Sequence, residues 1–180
     1  MKHEIIIVLA EGFEEIEAIA PIDFLRRADF SVVTAGLTSK TVKSSHNVTI
    51  FADIDFSEIT EIPEAIILPG GMPGSINLKN SKELIKLIKK TYDSGKLVSS
   101  ICAAAIVLNE AGILENKNVT AYPTVKHELD KSNFTGNRVE QDGNIITAKG
   151  PGVSLEFAKQ IAIYLGKQEK AEELAKAMFM

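Results

Sequence analysis

The sequence contains one cysteine, Cys102, in 180 residues, so no disulfide can form within the chain and no zinc cage can be built from cysteines. A chain so poor in cysteine reads as reduced and cytoplasmic. Long apolar runs are missing too. Ile5 to Leu9 is apolar, but Glu4 precedes it and Glu11 follows closely, which is too short and too acidic for a signal peptide. No stretch approaches the roughly 18 apolar residues of a membrane span, so a soluble intracellular protein with no membrane partner is expected. Basic clusters are absent: 20 Lys and Arg stand against 24 Asp and Glu, a net charge of −4, and nucleic acid is a poor candidate partner. His3, His46 and His127 are scattered without metal-ligand spacing, so no metal site is expected. Neither a Walker lysine nor a GxGxxG is present to hold a nucleotide phosphate. Repeats, low-complexity tracts and Pro/Ser linkers are also lacking. At roughly 150 residues per domain, residues 1–180 read as one domain. With 45% apolar residues, the chain can bury a sizeable core.

What is present is an alternation. Short apolar runs, Ile5 to Leu9, Ser31 to Ala35, Ala65 to Leu68, Leu97 to Ile101 and Ile145 to Ala148, take turns with helical patterns. The helical patterns are Glu14 to Arg27, Ser81 to Ser94, Ala103 to Ala111, Ser154 to Leu165 and a tail from Gln168 to Ala177. Near-continuous apolar strands suit a parallel sheet covered on both faces, so the expected class is an α/β sandwich with right-handed crossovers. Val42 to Phe51 and Val139 to Ile146 read as hairpins decorating the sheet, the second through its Asp142-Gly143 turn.

Ligands of open α/β sheets gather beyond the carboxyl ends of the strands, so the residues that follow each apolar run are the candidates. Cys102 stands where the run Leu97 to Ile101 turns into a helix, between small neighbours such as Ser100 and Ala104, a spacing that suits a nucleophile elbow. The first helical turn should favour thiolate and lower the thiol pKa. The alternative is a small buried core residue, the usual fate of a free cysteine. After the first run, Glu14 and Glu15 read as solvated carboxylates at a helix start. Glu17 lies among apolar neighbours four residues before Pro21, which removes the donor to its carbonyl and should bend or loosen the helix there. Held near the cysteine, such a carboxyl would have a raised pKa and serve as a general acid or base. Gly70-Gly71 after the third run could bring backbone N–H groups to a substrate oxygen, although a Gly-Gly pair is more often only a turn. Gly150-Pro151-Gly152-Val153-Ser154 makes a further junction, read as scaffold with Ser154 as a possible helix N-cap.

Taken together, Leu9 to Glu17, Asp23 to Ala28, Leu68 to Gly71, Ser100 to Ala103, Asn137 to Glu140, and Lys149 to Gly152 with Ser154 to Ala158 resemble the ThiJ/PfpI superfamily, in particular its parkinsonism-associated deglycase (DJ-one-like) branch. The resemblance covers nearly the whole chain. It implies a flavodoxin-like three-layer sandwich, a homodimer and no cofactor. It implies Cys102 as the reactive cysteine, Glu17 as its acidic partner, Gly70 and Gly71, with Ala103, as backbone donors, and Tyr122 and Pro151 as pocket residues. The implied activity is hydrolytic, on small reactive aldehydes or glycated adducts. The implied alternatives are an oxidative-stress sensor, in which Cys102 becomes a sulfinate held by Glu17, and a redox-regulated chaperone. Members of this branch also carry a thiazole monophosphate biosynthesis label.

Departures from the family pattern are informative. Ala103 stands where the proteolytic relatives have a histidine, which disfavours a peptidase. Tyr122 stands where the deglycase branch often has a histidine, and a phenol is a poor base at neutral pH. Ala104 replaces a glycine, and an arginine expected at the pocket is replaced within Ser44-Ser45-His46.

Overall fold

The computed structural model describes residues 5–180. His3 and the start of the acidic N-terminal stretch lie outside the described residues. In chain order the strands are β1 (Ile5–Leu9), β2 (Val32–Gly36), β3 (Thr41–Lys43), β4 (Thr49–Phe51), β5 (Ile54–Asp55), β6 (Ala65–Leu68), β7 (Leu97–Ile101), β8 (Asn118–Val119), β9 (Asn133–Phe134), β10 (Val139–Asp142) and β11 (Ile145–Ala148). The helices are α1 (Glu15–Arg27), α2 (Gly74–Lys79), α3 (Lys82–Asp93), α4 (Ala105–Glu110), α5 (Ser154–Tyr164) and α6 (Gln168–Ala177).

Seven strands form the central sheet in the order β10-β11-β7-β6-β1-β2-β5, parallel throughout except for the antiparallel edge β10. Alternate residues of each inner strand enter opposite cores. Ile5, Ile7 and Leu9 face one side with Phe24, Leu25, Phe157 and Ile161, while Ile6 and Val8 face the other with Leu84, Ile88 and Leu108. Both faces are therefore covered by apolar side chains, which is why β1 and β6 read as unbroken apolar runs, while β7 admits only the small buried Ser99 and Ser100 between its apolar residues. From β1 the chain leaves through α1 to β2 on one side, and later strands build outward from β6 on the other, so a topological switch point lies between β1 and β6.

The structure corrects several local expectations. Pro21 lies inside α1, yet the helix runs unbroken from Glu15 to Arg27 because its buried face, Ala18, Ile22 and Leu25, holds it against the sheet. The segment after β7 is a 3-10 turn, Cys102–Ala104, before α4 begins. Ser154 does not cap α5: its hydroxyl donates back to the Pro151 carbonyl at 2.8 Å and Val153 takes the cap position. The hairpin β3-β4 forms a separate two-stranded sheet. No helix among the described residues is long and apolar enough to cross a membrane.

Candidate active site

Three loops meet beyond the carboxyl ends of β1, β6 and β7. The loop after β1 leads into α1 and carries Glu17 on the buried side of its first turn, fully enclosed. The loop after β6 is Pro69-Gly70-Gly71. Its Gly70 carbonyl accepts the Glu14 N–H at 2.9 Å, and its Gly70 N–H donates to Glu17 Oε2 at 2.8 Å. The third element, Cys102, turns sharply off β7 with φ +61°, a left-handed conformation that costs a non-glycine residue about 1–2 kcal/mol. Strain of this kind is retained where the surrounding packing over-determines it, and Ala103 and Ala104, which complete the turn, are both buried.

Gly70 sets how close the pair can be. A methyl group on Gly70 would stand 2.6 Å from Glu17 Oε2 and 2.8 Å from Cys102 Cβ, so carboxyl and cysteine lie on two sides of one absent side chain. Glu17 Oε1 has no hydrogen bond of ordinary geometry, although the Cys102 thiol borders the carboxyl closely enough to interact with it. The hydroxyls of Ser75 and Ser100 are also buried without a partner among the described residues.

Burial raises the Glu17 pKa to about 7, with a further push from the charge of Glu14, against the opposing bonds from Cys102 and Gly70. The expectation of an acidified thiol is overturned. Burial and the neighbouring Glu17 charge push the Cys102 thiol up to about 12, outweighing the backbone N–H groups of Ala103 and Gly71 that favour its thiolate. At neutral pH the pair is a thiol beside a carboxyl poised at half-ionisation. That arrangement suits general-base activation of a nucleophile.

The other predicted residues surround this pair. Gly71 and Ala103 direct N–H groups toward the sulfur, whereas the Gly70 N–H is committed to Glu17. Tyr122 donates its N–H to the Cys102 carbonyl at 3.2 Å, and its half-exposed ring packs beside Gly150. Tyr122 and Pro151 line one cleft of about 440 Å³.

Sequence reasoning missed the network around Glu14 and Glu15. Neither is a simple solvated carboxylate. Glu15 accepts bonds from Ser44 Oγ and from the His46 N–H at 2.9 Å, and its other oxygen lies 2.9 Å from His46 Nδ1. Although burial opposes ionisation, these bonds together hold Glu15 down to about 2. Glu14, Glu15 and His46 present three potential ligand atoms within 4.8 Å of one another, a proximity their separation in sequence conceals. The Ser44-Ser45-His46 segment was notable in the sequence only for the arginine it lacks.

A cysteine on a strained strand-to-helix turn, beside a buried carboxyl at the switch point of a parallel sheet, places the chain in a class of α/β proteins defined by that elbow and its acidic neighbour. The chain belongs to the DJ-1/PfpI family, whose model matches residues 3–163. It is 36% identical to Protein dj-1beta of Drosophila melanogaster, with 100% of this chain and 98% of the relative covered. The crystal structure of that fly protein superposes with a TM-score of 0.96 and covers 100% of this chain and 99% of its own. The Glutathione-independent glyoxalase DJR-1.2 of Caenorhabditis elegans is 33% identical over 98% of this chain and 96% of the relative. A structure described as Toxoplasma gondii DJ-1, oxidized, is 33% identical with a TM-score of 0.91, covering 97% of each chain.

Proposed function

We propose that residues 1–180 act as a single cofactor-independent catalytic unit that hydrolyses small reactive aldehydes, or their adducts on proteins, through Cys102 and Glu17. The observation that carries this reading is the buried carboxyl of Glu17, poised near pH 7 beside the Cys102 thiol. In the reaction, Glu17 takes the thiol proton while sulfur attacks the aldehyde carbon, and the Gly71 and Ala103 N–H groups meet the resulting oxyanion. Gly70 anchors the base rather than the oxyanion. For methylglyoxal, Glu17 then moves the former aldehyde proton to the adjacent carbon. That carbon is reduced as the first is oxidised to a thioester, and water releases lactate and the thiol. A glyoxalase among the relatives supports this choice. Lactate formation from methylglyoxal should fall by at least a hundredfold in Cys102→Ser, and equal rates in both proteins would remove the proposal.

A second reading is favoured by the free Oε1 of Glu17 beside a partly exposed sulfur. In it, mild peroxide takes Cys102 to a sulfinate that protonated Glu17 holds by a hydrogen bond, so the site reports oxidation. Mass spectrometry should then find a gain of two oxygens on Cys102 that Glu17→Leu prevents. The same gain in the variant would exclude that role for Glu17.

We further propose a homodimer, supported by the apolar Ile16 and Ile19 of α1 and Val48 and Phe51 at the β3-β4 hairpin, all exposed.

A further inference from the structure

The cleft of about 440 Å³ adjoins the Cys102 turn: Tyr122 both lines it and donates to the Cys102 carbonyl, and Pro151 follows β11, whose Ala148 pairs with Ile101. Its lining is apolar and contains no carboxylate, but it includes two cations, Arg138 and Lys149. Arg138 is already neutralised, its Nε donating to both oxygens of Glu156 at 2.9 and 3.2 Å. Lys149 is half-buried, and its ammonium donates to the Gly136 carbonyl at 3.2 Å. Among the described residues no carboxylate lies within ion-pairing distance of it. At the start of α1, by contrast, Glu14, Glu15 and Glu17 make an acidic wall, with the exposed His46 paired to Glu14 and Glu15. The elements that meet near the Cys102 turn thus differ in charge, acidic in α1 and basic after β11.

We propose that Lys149 is a specificity-determining residue that binds a carboxylate on the substrate, so that an aldehyde bearing an anionic tail is preferred over a neutral one. The inference rests on the proposed reaction of Cys102 with aldehydes and names its substrate class. A half-buried ammonium facing no anion attracts one more strongly than a solvated lysine does, because less water screens it. The acidic wall repels the same tail, and the two effects together direct the carbonyl to Cys102 and the carboxylate to β11. A single point-like ammonium matches a monoanionic carboxylate, without the fork that bidentate recognition requires.

The test uses two alkylating agents that differ in charge alone. Iodoacetate and iodoacetamide both transfer a methylene carbon to the Cys102 sulfur with loss of iodide, the thiol proton passing to Glu17 or solvent. Lys149→Met should slow iodoacetate at least fivefold while iodoacetamide changes less than twofold, and Lys149→Arg should retain the wild-type ratio. Equal slowing of both reagents, or no change in either, would overturn the proposal. Turnover of 4,5-dioxopentanoate, a 2-oxoaldehyde with a carboxylate tail that the same reaction converts to 2-hydroxyglutarate, against methylglyoxal separates the two inferences. Turnover of methylglyoxal with no preference for 4,5-dioxopentanoate, and no effect of Lys149→Met on either, refutes the role of Lys149 alone. A charge-selective alkylation that depends on Lys149, in a protein that consumes neither aldehyde, upholds the anion site and refutes the aldehyde reaction.

Discussion

Replacing Glu17 by Gln should reduce aldehyde turnover by about two to four orders of magnitude, the usual contribution of a positioned general base, and at the same time make the protein more stable above neutral pH. Both effects come from one buried carboxyl. In the unfolded chain Glu17 ionises near its ordinary value of 4.5, whereas in the folded protein it does so at about 7. Below pH 4.5 it is protonated in both states and contributes nothing to the pH dependence. Between 4.5 and 7 the native state keeps a proton that the unfolded state has released, so stability falls as pH rises. Above 7 the full cost is present, about 3 kcal/mol for a difference of this size. Gln keeps an oxygen to accept the Gly70 N–H but carries no charge, so urea denaturation should show a gain of about 2–3 kcal/mol at pH 8 and almost none at pH 4. The wild-type kcat/KM should rise with pH through a midpoint near 7, and the variant should lose that limb. A variant no more stable than wild type at pH 8, or one with unimpaired turnover, would be inconsistent with a buried ionised base at this position.

Gly71→Ala is expected to destabilise the fold by about 3 kcal/mol or more. The residue has φ +90°, a region unfavourable to any side chain, and an added Cβ would stand 2.5 Å from the Glu14 nitrogen, 2.6 Å from the Gly12 carbonyl oxygen and 2.7 Å from the Phe13 carbonyl carbon. All three are backbone atoms, which cannot swing aside as a flexible side chain would. A left-handed conformation costs about 1–2 kcal/mol, and forcing extra volume into a packed site about 1–3 kcal/mol more. The loops after β1 and β6 would have to separate, weakening the 2.9 Å bond from the Glu14 N–H to the Gly70 carbonyl and carrying Glu17 away from Cys102. The urea midpoint should therefore drop together with the rate of Cys102 alkylation. A midpoint unchanged from wild type would mean that the two loops are not interlocked.

The central strands were legible because burial on both faces leaves an apolar signature: β1 and β6 are unbroken apolar runs, and β7 and β11 interrupt theirs only with small Ser or Thr residues. Helix α2 was not legible. It lies in Gly74–Lys79, directly after a Pro-Gly turn signal, and only Gly74, Ser75 and Leu78 are buried, too few to set up a helical period. Strand β5 has two residues and half-buried side chains, below what alternation can reveal. At the site, Cys102 and Glu17 could be picked out by their neighbours, an elbow spacing for one and an apolar surround for the other. The ionisation of Cys102 could not. Helix-end electrostatics alone argue for a low pKa, and only the folded structure shows the burial and the adjacent carboxyl that outweigh them. The bonds from Ser44 and His46 to Glu15 join residues about thirty positions apart, a proximity that no local pattern encodes.

The most direct measurement is the titration of the Glu17 carboxyl itself, followed by the carbon-13 shift of its labelled side-chain carbonyl from pH 3 to 10 and assigned by its disappearance in Glu17→Gln. A midpoint near 7, moving when Cys102 is replaced by Ser, is the predicted result. A midpoint between 4 and 5 that ignores the change at Cys102 would show an ordinary carboxylate and contradict the shared chemistry of the pair.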